Sequence, residues 1–414
     1  MTYAAQTAAI RFETDGYDIS KPNLMGRQAA GAGFLSAAVA ARGEGPIYGY
    51  GPNPRGAEIF AGFVGTMDPT AQTRWIPTAQ PDGLNAVGVC YLPAPSLSEE
   101  ARLRLRSGPA RHSLCSVTHT TATDRVMRAI AELLVEPVMP WDAMICTSKA
   151  VRDTVSRVHE AQADLMRWRF GAQVRIAGPQ LPVIPLGVHC ADFESDEAER
   201  AQARAELGLA EGDVMALFVG RITFAGKAHP LQMYQALETA AQRTGKSVVL
   251  VQCGWSPNDK IAGAMADSAA KYAPSVRSVF VDGREPKIRR GAWAAADLFV
   301  SLSDNIQETF GLTPLEAMAA GLPVLVSDWN GYRQTVEDGV HGFRVRTWAP
   351  PDGAGGDLAA AYEAGTLSYD HYCWAAVSST SLDLAKLCDR ATDLVGNPDL
   401  RRKMGEAGRA TARS

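Results

Sequence analysis

Glu308-Thr-Phe-Gly-Leu-Thr-Pro-Leu-Glu316-Ala-Met-Ala-Ala-Gly-Leu-Pro-Val324 sets two carboxylates eight positions apart around a glycine turn and a helix start. The apolar run Leu298–Leu302 just before it reads as a buried strand. The segment therefore reads strand, glycine-containing loop, helix, and a second strand over Pro323–Ser327. In open α/β sheets ligands bind in the crevice beyond the strand C-termini, where N–H groups at the next helix start face an anion. Ionised carboxylates only accept hydrogen bonds, so sugar hydroxyls suit them. A purely structural account competes with this one. Thr313-Pro314-Leu315-Glu316 has the form of a capping box, with Thr at the N-cap, Pro at the first helical position and Glu three residues on.

Taken together, Glu308, Phe310-Gly311-Leu312, Glu316-Ala317-Met318-Ala319, Gly321 and Pro323-Val324 resemble the E-x7-E region of the family-4 (group 1) retaining glycosyltransferases. The resemblance implies an α/β chain of GT-B type, two Rossmann-like doubly wound domains facing across a cleft. It also implies a nucleotide-sugar-dependent, metal-independent hexosyltransferase that retains anomeric configuration. A donor linked to UDP, GDP or ADP would be a co-substrate, with no separate cofactor. The acceptor would be a saccharide, a lipid-linked saccharide or a small molecule.

The rest of the chain agrees with that class. At 414 residues it is too long for one compact core and points to two domains. Short β-branched or apolar runs alternate with Ala-rich helical stretches, which argues for parallel, doubly wound sheets. In the first half, strands are expected at Ile47–Tyr50, Ala86–Tyr91, Ser113–His119 and Ala143–Thr147, with helices at Ala30–Ala41, Asp124–Leu134 and Lys149–Trp168. A second series is expected at Val214–Val219, Val248–Gln252, Val276–Val281, Leu298–Leu302, Val324–Ser327 and Gly342–Val345. Pro182, Pro185 and Gly187, followed by an acidic run, mark an interdomain connection that also resembles the family's linker. The expected domains are 1–190 on the acceptor side, 191–378 for the donor, and a helical tail at 379–414. Domain closure about Gly187 is the expected gate.

A net charge of −4 gives no support to nucleic-acid binding. No apolar run reaches the ~18 residues of a membrane span. The residues Met1–Thr7 show neither a basic nor an apolar signal segment, and seven cysteines without a C-x-x-C pair form no disulfide or zinc pattern. A cytoplasmic setting is expected, compatible with peripheral contact at the inner face of the membrane.

Further chemistry-bearing residues lie outside the opening stretch. Gly220-Arg221-Ile-Thr-Phe-Ala-Gly-Lys227 follows an apolar strand and precedes a helix. Arg offers phosphate oxygens a planar fork and Lys a compact charge. The resemblance assigns Arg221 and Lys227 to the leaving diphosphate, although the spacing is one residue longer than the common one, with Gly226 as the residue that absorbs the insertion. His119 ends a strand and matches a histidine that contacts the donor sugar; Glu308 would hold sugar hydroxyls and Glu316 the ribose. Backbone and side chains of Thr309, Phe310, Gly311 and Leu312, with a glycine-rich loop at Gly31 and Gly33, complete the donor set. Ser36 stands where a dinucleotide fingerprint needs a third glycine, which disfavours a nicotinamide dehydrogenase. No metal ligand set is seen: there is no Asp-x-Asp and no His-x-x-x-His. Asp282-Gly283-Arg284 and Asn330-Gly331-Tyr332-Arg333 read as turns, and Arg102, Arg104, Arg106 and Arg111 as a solvated face. Epimerases and phosphorylases of the same fold, and a non-catalytic sugar-nucleotide-binding protein, remain alternatives because folds do not fix function.

Overall fold

The computed structural model describes residues 7–19, 26–52 and 54–414, so Met1–Gln6 of the opening segment lie outside the described residues. The chain divides into two compact units after Gly187. The first holds a parallel sheet of β1 (Ala9–Arg11), β2 (Ile47–Gly51), β3 (Thr73–Pro77), β4 (Val89–Leu92), β5 (Ser113–Thr118) and β6 (Ala143–Cys146), in the order β3-β2-β1-β4-β5-β6. The second holds β7 (Val214–Arg221), β8 (Val248–Trp255), β9 (Val276–Asp282), β10 (Leu298–Ser301), β11 (Val324–Ser327) and β12 (Gly342–Val345), in the order β12-β11-β10-β7-β8-β9. Its pairings are all parallel.

The central strands β10 and β11 are buried at every position, as parallel strands covered on both faces must be. One face of that sheet packs Leu250, Leu298 and Val300 against Leu237, Ala240 and the helix Leu384–Gly396. The other packs Leu217, Val249 and Phe299 against Trp293, Ala317 and Met318. The stretch expected as a separate tail from 379 onward thus belongs to the second unit. Its helices Leu384–Gly396 and Pro398–Arg413 bury Leu387, Ala391, Leu394 and Met404 in the common core.

Strand order reverses between β1 and β4 in the first unit and between β7 and β10 in the second. Such switch points splay the loops at the strand C-termini apart and open a crevice. Arg221 and Glu308 flank the second of these.

Three first-half expectations change. The strand expected from Ala86 begins only at Val89, because Leu84–Val87 is a helical turn that Gly88 ends in the left-handed region at φ 85°. β3 was not expected: it is an edge strand ending on Pro77, where a missing N–H does no harm. The arginine run is not a uniform solvated face. Arg104 is 1% exposed, with Nη1 donating to Asp142 Oδ1 at 2.6 Å and Nη2 to Oδ2 at 2.7 Å. Asp142 also accepts the Leu114 and Met139 N–H groups, so this pair pins β5 to the start of β6.

Removing one partner of such a pair strands a buried charge, at a cost of about 3–5 kcal/mol. Arg104→Ala is therefore expected to lower the urea midpoint of the first unit strongly. An unchanged midpoint would show that the pair contributes nothing.

Candidate functional site

The glycine turn opening the quoted helix is the first local determinant. Gly311 is the N-cap of the helix Leu312–Ala319, with φ 88° and ψ 79°, a conformation costly for any residue with a β-carbon. A β-carbon there would also run into the Tyr332 ring. This turn starts the helix one residue before Thr313, so the expected capping box is absent. Thr313 and Pro314 lie inside the first turn and no side chain caps the helix. Glu316 is released from a capping role. Thr309 and Phe310 are buried, their backbone packed against Gly331, where a side chain would not fit.

The loop after β7 and the loop after β10 are bonded to one another along their length. Arg221 Nη2 donates to Gln307 Oε1 at 2.7 Å and to the Gly226 carbonyl at 2.8 Å. Lys227 Nζ donates to Glu308 Oε2 at 2.9 Å, with the side chains 29% and 9% exposed. The His229 N–H donates to Asp304 Oδ2 at 3.1 Å, and the Asn305 amide donates to the Ala225 carbonyl. Gly226 sits in a turn closed by Thr223 Oγ1, which accepts its N–H at 2.6 Å, leaving no room for a β-carbon.

Glu308 is further supported from the segment after β11. Tyr332 Oη lies 2.8 Å from Ser301 Oγ and 3.5 Å from Glu308 Oε2, while Asn330, in the left-handed region at φ 45°, donates its amide to the Glu308 carbonyl. Burial first, then the Glu308 charge, pushes the Tyr332 phenol far up, so it stays a neutral donor. Trp329 Nε1 donates to the Asn305 carbonyl at 3.0 Å. Sequence reasoning passed over Gln307 and Asp304, and read Tyr332 only as part of a turn. The only signal for Tyr332 was the Asn-Gly turn ahead of it.

Glu316 lies partly accessible on its helix, with Lys227 and Arg289 near enough to favour its ionised form. Burial outweighs them and pushes its carboxyl up to about 7. Asp304, 2% exposed, is also pushed up to about 7 by burial, opposed by the His229 N–H.

Other expected site residues lie in the first unit. His119 follows β5 directly and is driven down to about 4 by burial, with the Arg27 charge adding to the effect, so its imidazole is neutral. Gly31 and Gly33 fall inside the helix Gly26–Ala41 rather than in a loop, their N–H groups committed to the helical ladder. Gly31 is needed for packing, because a β-carbon would meet the Gly16 carbonyl. Arg284 closes on its own Asp282 at 2.6 Å as an exposed turn. Among the described residues, no three His, Cys, Asp or Glu side chains group as metal ligands would, and no helix is long and apolar enough to cross a membrane.

In the second unit, Arg221, Lys227, Glu308 and Glu316 therefore lie around the strand ends at one switch point. An arrangement of this kind can hold a group that is anionic at one end and rich in hydroxyls at the other.

A family model described as glycosyl transferases group 1 matches residues 199–350. The D-inositol 3-phosphate glycosyltransferase of Nocardia farcinica is 33% identical over 182 residues, which is 42% of this chain and 39% of that protein. The alpha-maltose-1-phosphate synthase of Mycolicibacterium smegmatis is 28% identical over 65% of this chain and 57% of its own. The match thus spans well under two thirds of either curated relative. Among solved structures, Anabaena HepE, crystallised with UDP and glucose, aligns over 99% of this chain and 98% of its own, at TM-score 0.53 and 15% identity. A glycosyltransferase from Rickettsia africae aligns over 99% and 94%, at TM-score 0.56 and 12% identity. At these identities the likeness is one of fold, the GT-B type.

The raised Glu316 carboxyl makes a testable statement. Between its ordinary 4.5 and about 7, the folded chain keeps a proton that the unfolded chain has released. This group's contribution to stability therefore falls as pH rises through that window and is least favourable above 7. Glu316→Gln removes the penalty. Its melting temperature should match the parent near pH 4.5 and exceed it at pH 8, by roughly 1–3 kcal/mol in stability after allowing for partial exposure. A variant less stable than the parent at pH 8 would mean that the ionised carboxylate is favourably bound.

Proposed function

With residues 199–350 a group 1 glycosyl transferase domain, we propose that this protein transfers a hexose-type sugar from a nucleoside diphosphate to an acceptor, retaining anomeric configuration and using no metal. The observation that carries this reading is the Lys227–Glu308 pair beside Arg221, held by two interlocked loops at the switch point of the donor-side sheet.

The chemistry requires a leaving diphosphate that gains negative charge as the sugar becomes oxocarbenium-like. Cations already positioned where charge develops lower that barrier without reorganising at the moment of reaction. Arg221 and Lys227 supply this, in the role that a divalent ion plays elsewhere. Glu308 accepts sugar hydroxyls and Glu316 the ribose hydroxyls. The N–H groups at Gly311 and Leu312 meet sugar or phosphate oxygens at the helix start. In the first unit, neutral His119 can accept from a hydroxyl with one ring nitrogen and donate with the other. The HepE complex makes UDP the first nucleotide to try. The acceptor is a saccharide, lipid-linked saccharide or small molecule.

A thermal-shift titration with UDP, GDP, ADP and their sugar conjugates tests this directly, because binding to the native state raises the melting temperature with ligand dose. One nucleotide series should stabilise the chain, and its sugar conjugate should be consumed when an acceptor panel is added. Absence of any shift across all three series would refute the proposal. Arg221→Ala should lower turnover by about 10²–10³-fold, the weight of one preorganised donor, while the melting temperature falls by no more than the lost bonds to Gln307 and Gly226 account for. A parallel collapse of both would assign Arg221 to structure alone.

A further inference from the structure

A cavity of about 790 Å³ is lined by Arg221, Gly226 and Gln307, while none of Lys227, Glu308 or Glu316 lines it. It falls within the range of about 300–1,000 Å³ typical of small-molecule sites. One wall is the helix Tyr369–Ser378, which presents Asp370, His371 and Trp374 one turn apart on a shared face. The opposite wall carries Trp255, at the end of β8, and Asn258. Trp374 is 53% exposed, a large apolar ring left uncovered at the mouth. Ser368 Oγ lies 2.8 Å from His371 Nδ1, which fixes the imidazole ring on the cavity helix.

We propose that this cavity is a saccharide-binding subsite, taking a remote part of the acceptor on the two indole side chains. The ring chemistry supports a sugar. Indole faces carry partial negative charge and receive the C–H face of a pyranose, while the carboxylate, imidazole and amide around them bond its hydroxyls as acceptors and donors together. A nucleotide fits less well. Among the lining residues Arg221 is the sole Arg or Lys, its Nη2 is already bonded to Gln307 and Gly226, and Asp370 repels phosphate. The cavity is also wired to the transfer chemistry. Gln307 Nε2 donates to Cys373 Sγ at 3.0 Å on the cavity helix, while its Oε1 accepts from Arg221. A sugar pressing on that helix thus acts on Arg221 through one amide. This inference rests on the donor-site reading above only for what the subsite serves.

The test is intrinsic tryptophan fluorescence titrated with glucose, maltose, maltotriose, and the corresponding manno- and galacto-saccharides, on the full chain and on Trp374→Ala and Trp255→Phe. A saturable change with a saccharide, weakened about tenfold or more in Trp374→Ala, is expected, the weight of one lost aromatic contact. The nucleotide thermal shift should be the same in Trp374→Ala as in the parent. No saturable change with any saccharide would overturn the subsite while leaving the donor reading standing. Loss of the nucleotide shift in Trp374→Ala would overturn it too, making the cavity a nucleobase pocket. If nucleotides bind nowhere but saccharides still bind here, the donor reading falls and the subsite stands.

Discussion

Loop-to-loop bonding at the second switch point is the constraint on which the rest of this molecule turns. Segments far apart in sequence, 221–229 and 304–308, meet through Arg221–Gln307, Asn305–Ala225, Lys227–Glu308 and His229–Asp304. Loops beyond strand ends are ordinarily the least fixed part of an α/β sheet. Here each side chain that bears charge is also a strut, so the cations are placed before any ligand arrives. The third party is the turn after β11, whose Asn330, Gly331 and Tyr332 seat the Glu308 loop from behind. A raised Asp304 carboxyl within this bonded region is the cost of packing it so tightly.

Much of this was legible because the second half of the chain writes its strands plainly. β11 and β12 occupy Val324–Ser327 and Gly342–Val345 as expected, and the other four strands of that sheet differ only at their ends. The first half was harder to read for physical reasons. β1 is three residues long, too short to show a period, and the helix Pro54–Met67 carries Gly56, Gly62 and Gly65, which dilute its helical signal. The arginine run misled because charge alone does not report a partner. Asp142 lies 38 positions from Arg104, and only the fold brings them together.

The candidate site divides in the same way. Glu308, Glu316, Arg221 and Lys227 were singled out by residue type together with the family resemblance, since their chemistry is written in the side chain. Gln307 and Tyr332 act through what they hold, and nothing in a glutamine or a tyrosine announces that. The capping box failed for a subtler reason. Thr-x-x-Glu describes a helix start only if the preceding backbone is extended, and Gly311 removes that condition by entering the left-handed region.

The pairing of Lys227 with Glu308 sets a condition on any ligand that binds beside it. On the proposed reading, a complete donor replaces both partners at once: phosphate satisfies the ammonium and hydroxyls satisfy the carboxylate. On the same reading, the nucleotide that remains after transfer offers the lysine an anion but offers the 9% exposed Glu308 carboxylate no sugar hydroxyl. Re-forming the ion pair then competes with the spent nucleotide for the same ammonium. On that reading, the ion pair weakens the hold on the discharged carrier relative to the loaded one.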